Sequence, residues 1–236
     1  MSSENNQASV PAKNNTFLEL IFNIIVPSLI LMKLSDDAYL GTVNALIIAL
    51  AFPIGYGIYD FATQRTFNFI SLLGFLSTLL TGVIGLFELD ANWLAIKEAA
   101  IPAVIGLVVL ASGFMNKPLL AKLMLNPALF NLNLIYDTLA THGNTDLFRR
   151  KINRANHLLA STFVFSSAAN YILAKMIVTS QAGTVEFNEQ LGEMTLLSYP
   201  VIAIPSLIML IAIMVYVVKT ITQLTGLNFE QVLNQE

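Results

Sequence analysis

LSYPVIAIPSLIMLIAIMVYVV, residues 197–218, runs for 22 positions without a charged side chain. A helix rising 1.5 Å per residue needs ~20 apolar residues to cross ~30 Å of hydrocarbon. Backbone amides in lipid must be bonded within their own segment, so the stretch reads as a transmembrane helix. Working outward, comparable apolar stretches occupy about 17–31, 41–59, 67–87, 99–115 and 157–178. The expected fold is all-α: a polytopic membrane protein of six transmembrane helices in one bundle. A polar cytoplasmic tail (1–16), expected to be disordered, precedes a membrane domain (17–222), and a second cytoplasmic tail (223–236) follows it.

Composition agrees, since hydrophobic residues make up 56% of the 236 and charged residues only 11%, with a mean hydropathy of +0.69. A soluble domain carries about 25% charged residues. The net charge of -3 is small, and no Lys/Arg run is interleaved with aromatics, so nucleic acid is excluded as a partner. The chain has no cysteine, which removes disulfides, thiolate metal sites and redox centres. Residues 1–16 lack the basic start and small-residue cleavage site of a secretory signal, and the first span is expected to act as an uncleaved insertion signal.

Basic residues orient the bundle. Lys13, Arg65, Lys117, Lys122, Arg149, Arg150, Lys151, Arg154 and Lys219 fall on one set of alternate connections, against Lys33, Lys97 and Lys175 on the other, nine to three. Short loops rich in Lys and Arg stay in the cytoplasm, so both termini are expected there. The outer face collects Asp36, Asp37, Glu88, Asp90, Glu186, Glu189 and Glu193, a solvated rim or a cation-attracting surface.

The one long connection, 116–156, carries Leu119, Leu120, Leu123, Met124 and Leu125, then Leu129, Leu132, Leu134, Ile135 and Leu139, interrupted by Pro118, Pro127 and His142-Gly143-Asn144. Two readings fit. Short amphipathic helices lie at the cytoplasmic interface with Lys117 and Lys122 on anionic headgroups, or they pack beneath the bundle as a cap. Val26-Pro27-Ser28-Leu29-Ile30 is echoed by Ile204-Pro205-Ser206-Leu207-Ile208, a likeness too short to establish a repeat.

Charge inside lipid costs about 2.5–3.5 kcal/mol on insertion scales, so charged residues at span ends are the functional candidates. These are Glu19, Asp60, Lys97, Glu98 and Lys175. Snorkelling explains Glu19 and Lys175. Lys97 and Glu98 differ, because Asp90 suits a helix N-cap. A helix starting there sets both charges inside it, with Trp93 four residues before Lys97 and able to cover its stem. The alternative is a helix projecting from the membrane with both charges wet. Pro53, Gly55 and Gly57 mark a kink in the second span. Gly74, Thr78 and Gly82 form a smooth packing stripe. Asn23, Asn44, Asn68 and Asn170, the last with Ser166 one turn before it, read as amides bonding across helices, with a polar pathway as the alternative. His142 and His157 lack partners at metal-ligand spacing, so no metal or other cofactor is expected. No nucleophile elbow, phosphate loop or paired-carboxylate motif occurs, and no enzymatic activity is expected.

ELDANWLAIKEAAIP (88–102), followed by an apolar helix and Asn116-Lys117-Pro118-Leu119, resembles the intracellular septation protein A family of bacterial inner-membrane proteins. FRRKINRANH (148–157) and Ala169-Asn170-Tyr171 resemble that family's next segment. The likeness covers roughly residues 60–175. It departs where the family has Lys-Trp-Lys-Pro, since Trp93 precedes Lys97 by four residues and Pro102 lies farther on. FPIGYG (52–57) and LTGVIGL (80–86) look like an uncharacterised offshoot of six-span proteins, some labelled transporters. The resemblance implies the inner membrane and an envelope- or division-associated role, and singles out Lys97, Asn153 and Asn170. The expected function is a scaffold or interaction protein with envelope protein partners. The alternative is a small-molecule or ion transporter or channel, its site at Pro53, Gly55, Gly57, Lys97 and Glu98.

Overall fold

The structure, a computed structural model, describes residues 20–64 and 69–234, except for the side chains of 60, 61, 63, 64 and 69–72. The apolar runs form helices: α1 Ile21–Leu34, α2 Thr42–Gln64, α3 Phe69–Leu86, α4 Asn92–Phe114, α5 Leu119–Met124, α6 Leu132–Thr141, α7 Thr145–Ile177, α8 Val185–Thr225 and α9 Phe229–Val232. The described residues contain no β-strand, only one isolated bridge between Phe130 and Leu233. Four helices are long and apolar enough to cross a membrane: α2 over Thr42–Tyr59, α4, α7 and α8. The first and third expected spans correspond to shorter apolar helices, Ile21–Leu34 and Leu73–Leu86. Their first residues, Phe17 and Phe67, lie outside the described residues, as do Lys13, Glu19, Arg65 and Asn68.

Two helices are longer than the apolar runs that announce them. α7, with 33 residues, measures about 50 Å at 1.5 Å per residue, against an expected span at 157–178. Its first turns carry Asp146, Arg149, Arg150, Lys151 and Arg154 ahead of that apolar stretch. α8 begins at Val185, well before the expected start near 197. The Thr184 hydroxyl caps it by accepting from the Phe187 amide at 3.1 Å. This first segment is amphipathic: Phe187, Leu191 and Met194 are buried, while Glu186, Glu189 and Glu193 are exposed. Tertiary packing against α1 thus makes helix out of what reads as a polar connection. Gly192 permits the close approach, since a Cβ there would lie 2.8 Å from the Ser28 carbonyl oxygen and 2.7 Å from Met32 Cγ. Gly226, at φ 72°, ends α8 in the left-handed conformation that glycine adopts freely.

Both echoed Pro-Ser segments follow a π-helical turn, Ile21–Ile25 before Pro27 and Tyr199–Ala203 before Pro205. Proline offers no N–H to the carbonyl four residues back and its ring clashes with it, and one extra residue in the turn relieves that clash. In each case the preceding residue closes the wider turn, Val26 N–H to the Ile21 carbonyl and Ile204 N–H to the Tyr199 carbonyl. Around Pro53 the outcome differs. α2 stays helical through Pro53, Gly55 and Gly57, without unwinding.

Buried apolar side chains form two clusters. One joins α1, α2, α3, α4, α7 and the first segment of α8 through Leu31, Leu46, Ile84, Leu94, Ala174 and Phe187. The other lies at the opposite end, where Leu120 of α5, Ile135 and Leu139 of α6 and Val232 of α9 close against Phe148, Val217 and Ile221. The 116–156 connection is therefore a packed cap. Its rim exposes Leu123, Leu129 and Leu134 beside Lys122. The segment after α9 packs on this cap, where the Asn234 amide donates to the Leu129 carbonyl at 3.0 Å.

Candidate functional site

The turn before α4 places Lys97. Asp90 accepts from the Asn92 amide at 2.7 Å, but the helix starts at Asn92 with Ala91 at the N-cap, one residue after the position expected for Asp90. Lys97 therefore lies more than a turn inside α4, buried to 8% exposure. Its stem lines the surface with Trp93, itself exposed.

The ammonium is fully engaged. Nζ donates to Thr81 Oγ1 at 2.7 Å, to Ser77 Oγ at 3.2 Å and toward the Ser77 carbonyl at 3.5 Å. It also pairs with Glu98 Oε1 at 2.6 Å. Adjacent helical residues point in different directions, so the pair depends on the reach of the long lysine side chain. Glu98 is the partner, while Glu88, the other carboxylate near in sequence, sits in the α3–α4 turn at φ 51°. Both Thr81 and Thr78 pass their own hydroxyl protons to carbonyls one turn back, Ser77 at 3.1 Å and Gly74 at 3.0 Å. The lone pairs of Thr81 are thereby left for the lysine.

Around this pair lies a cavity of about 190 Å³ walled by five helices. α1 contributes Asn23, Pro27, Ser28 and Leu31; α2 contributes Ala49, Leu50 and Pro53; α3 contributes Ser77, Thr78 and Thr81; and α8 adds Leu191 and Thr195. Two wall atoms, Asn23 Oδ1 and Ser28 Oγ, are buried and lack a hydrogen-bond partner. Buried polar atoms are nearly always satisfied, so two orphans on one cavity wall mark a place where a polar guest fits. Leu31 to Asn23 along α1 corresponds to about 12 Å of depth. The cavity thus reaches from the Lys97 end to the middle of the first and second apolar stretches.

Among the expected site residues, the structure brings together Lys97, Glu98 and Pro53. A Cβ added at Gly55 or Gly57 would meet nothing within 4 Å, and neither glycine lines the cavity. Asp60 falls in the last turns of α2, its side chain outside those described. Asn170 does not bond across helices: it donates back to the Ser166 carbonyl at 2.8 Å and to Ser166 Oγ at 3.3 Å. Asn44 likewise returns to Leu40 at 2.8 Å. The stripe on α3 is displaced toward its end, since Gly74 faces open space while Gly82 meets Leu50 and Gly85 meets Leu46.

Asn153 stands in a separate polar cluster between α4 and α7. A Cβ on Gly113 would lie 3.0 Å from Asn153 Oδ1, Asn156 Nδ2 and His157 Nε2. Asn156, fully buried, accepts from the Leu120 amide at 3.0 Å and donates to the Val109 carbonyl at 2.7 Å. Asn188 does the equivalent at the other end, donating to Ser35 Oγ at 3.0 Å and the Thr42 carbonyl at 2.9 Å. The sequence reading missed both asparagines, along with Ser77, Thr81 and Ser28 at the site. The Pro-Ser echo was the one signal pointing to Ser28. Among the described residues no three His, Asp or Glu side chains converge to hold a metal.

No family model matches the chain, no curated protein matches its sequence and no solved structure matches it.

Proposed function

We propose that this chain is an integral protein of the bacterial inner membrane with six spans and both termini cytoplasmic, acting as a small transporter or channel at the Lys97–Glu98 cavity, without catalysis. The observation that carries this reading is a buried charge pair facing a cavity with two unsatisfied polar atoms. A charge pair serving only as helix glue has no use for open volume beside it. At roughly 30 Å³ per water, the space suits an ion or a solute of a few heavy atoms. The π-helical turn bearing Asn23 supplies backbone irregularity on the cavity wall, where such irregularity is tolerated in membranes.

Vesicles containing the purified protein, loaded in turn with a pH-sensitive dye, potassium or chloride, test the reading under an imposed gradient. One flux should exceed that of empty vesicles and fall at least tenfold in Lys97→Met. Flux equal to empty vesicles for all three would overturn the channel reading.

The scaffold reading has its own support: Asn156 and Asn188 are spent wholly on helix contacts, and α8 leaves Ile204, Leu207, Ile208 and Ile211 exposed. It requires an envelope partner that co-purifies with the wild type and is lost when that face is made polar.

A further inference from the structure

A second feature lies apart from the Lys97 cavity. A groove of about 700 Å³ runs between α4 and α7, floored by Ala103, Gly106 and Ala160 and open along exposed Leu107, Val164 and Ala168. Gly106 brings the helices into contact, since a Cβ there would lie 2.9 Å from Phe163 Cβ. The groove extends along α7 from His157 to Ile172, about 22 Å at the helical rise. One leaflet of a ~30 Å hydrocarbon core is about 15 Å thick, so a chain lying in the groove reaches through its own leaflet and slightly beyond.

Charge at one end of the groove specifies its occupant. At 100° per residue, Arg150 and Arg154 fall on the α7 face that carries His157, Ser161, Val164 and Ala168. Both arginines are exposed and have no ion-pair partner among the described residues, although Asp146 lies one turn before Arg150. Lys117, also exposed, follows the end of α4 on the other side. The groove is thus apolar along its length, with two arginines free of ion pairs at its cap end, whereas Lys175, on the same face at the other end, is engaged by the Asn92 side chain.

We infer that this groove seats a phospholipid with an anionic headgroup from the leaflet on the cap side, its acyl chain between α4 and α7 and its phosphate at Arg150 and Arg154. The inference rests on the membrane reading but not on the role of Lys97. An uncharged lipid would fill the groove without using the arginines, and a second copy of the chain would fill it without a phosphate.

Native mass spectrometry of the purified full chain, titrated with phosphatidylglycerol or phosphatidylcholine of identical acyl chains, tests it. Phosphatidylglycerol should bind at least tenfold more tightly. Each arginine contributes about fivefold, from about 1 kcal/mol per basic residue near an anionic surface. Arg150→Gln with Arg154→Gln should therefore weaken phosphatidylglycerol binding roughly 30-fold and phosphatidylcholine, whose choline offsets its phosphate charge, far less. Ala168→Leu, which fills the groove, should weaken both lipids, and soluble glycerol phosphate should not compete. Equal binding of the two lipids, or no response to the arginine variants, would overturn the inference. So would a dimer in lipid-free detergent that Ala168→Leu dissociates, because it would make the groove a self-interface. The arginine variants alter exposed residues only, so they decide the question even where Ala168→Leu fails to fold.

Discussion

Lys97→Met keeps the length and apolar bulk of the stem while deleting the charge. The variant leaves Glu98 without its ion pair at 2.6 Å and removes the donor shared by Thr81 and Ser77. Breaking a fully buried pair by removing one partner costs about 3–5 kcal/mol. Glu98 retains 24% exposure, so solvent compensates part of that loss. The two hydroxyls can rotate to other partners, which leaves about 2 kcal/mol as the expected destabilisation. For a chain of this size that corresponds to a fall in Tm of about 4–8 °C. Thermal unfolding in detergent, followed by tryptophan emission or by loss of the monodisperse gel-filtration peak, measures it. The companion variant is Lys97→Met with Glu98→Gln, which removes the stranded charge and should recover at least half of the loss. A single variant within 1 °C of wild type would refute the buried-pair argument, and so would a double variant whose loss equals the sum of the two single losses.

Gly192→Leu should destabilise more than any exposed substitution on α8, by about 2–4 kcal/mol, because its side chain would enter the Ser28 and Met32 contact; unchanged unfolding would refute the close approach of α1 and α8. Asn156→Ala strands the Leu120 amide and the Val109 carbonyl and should cost about 2–3 kcal/mol, read as a lower melting temperature. The absence of native cysteine makes topology directly measurable: an impermeant maleimide should label Asp37→Cys in intact cells and His142→Cys only after permeabilisation, and the reverse pattern would invert the proposed orientation.

The sequence determined the helices as a class. Apolar runs near 20 residues leave the backbone no alternative to internal hydrogen bonding, which is why each of the four span-length helices contains one of those runs. It also determined the candidacy of Lys97 and Glu98, since an aspartate that suits a helix start about two turns before them sets both charges inside a helix. Tertiary structure decided what those residues meet. Ser77 and Thr81 are ordinary in an apolar helix, and only the crossing of α3 over α4 makes them ligands of an ammonium. The helical start of α8 was illegible for the same reason: residues 185–196 carry three glutamates, and their helicity is supported by burying Phe187 and Leu191 against α1. Asn170 shows the converse. A polar side chain in a span announces a hydrogen bond, but its own helix offered a nearer acceptor than any neighbour. Local periodicity is written along the chain, whereas partners belong to helices distant in sequence, whose approach depends on small residues such as Gly106 and Gly192 at the points of contact.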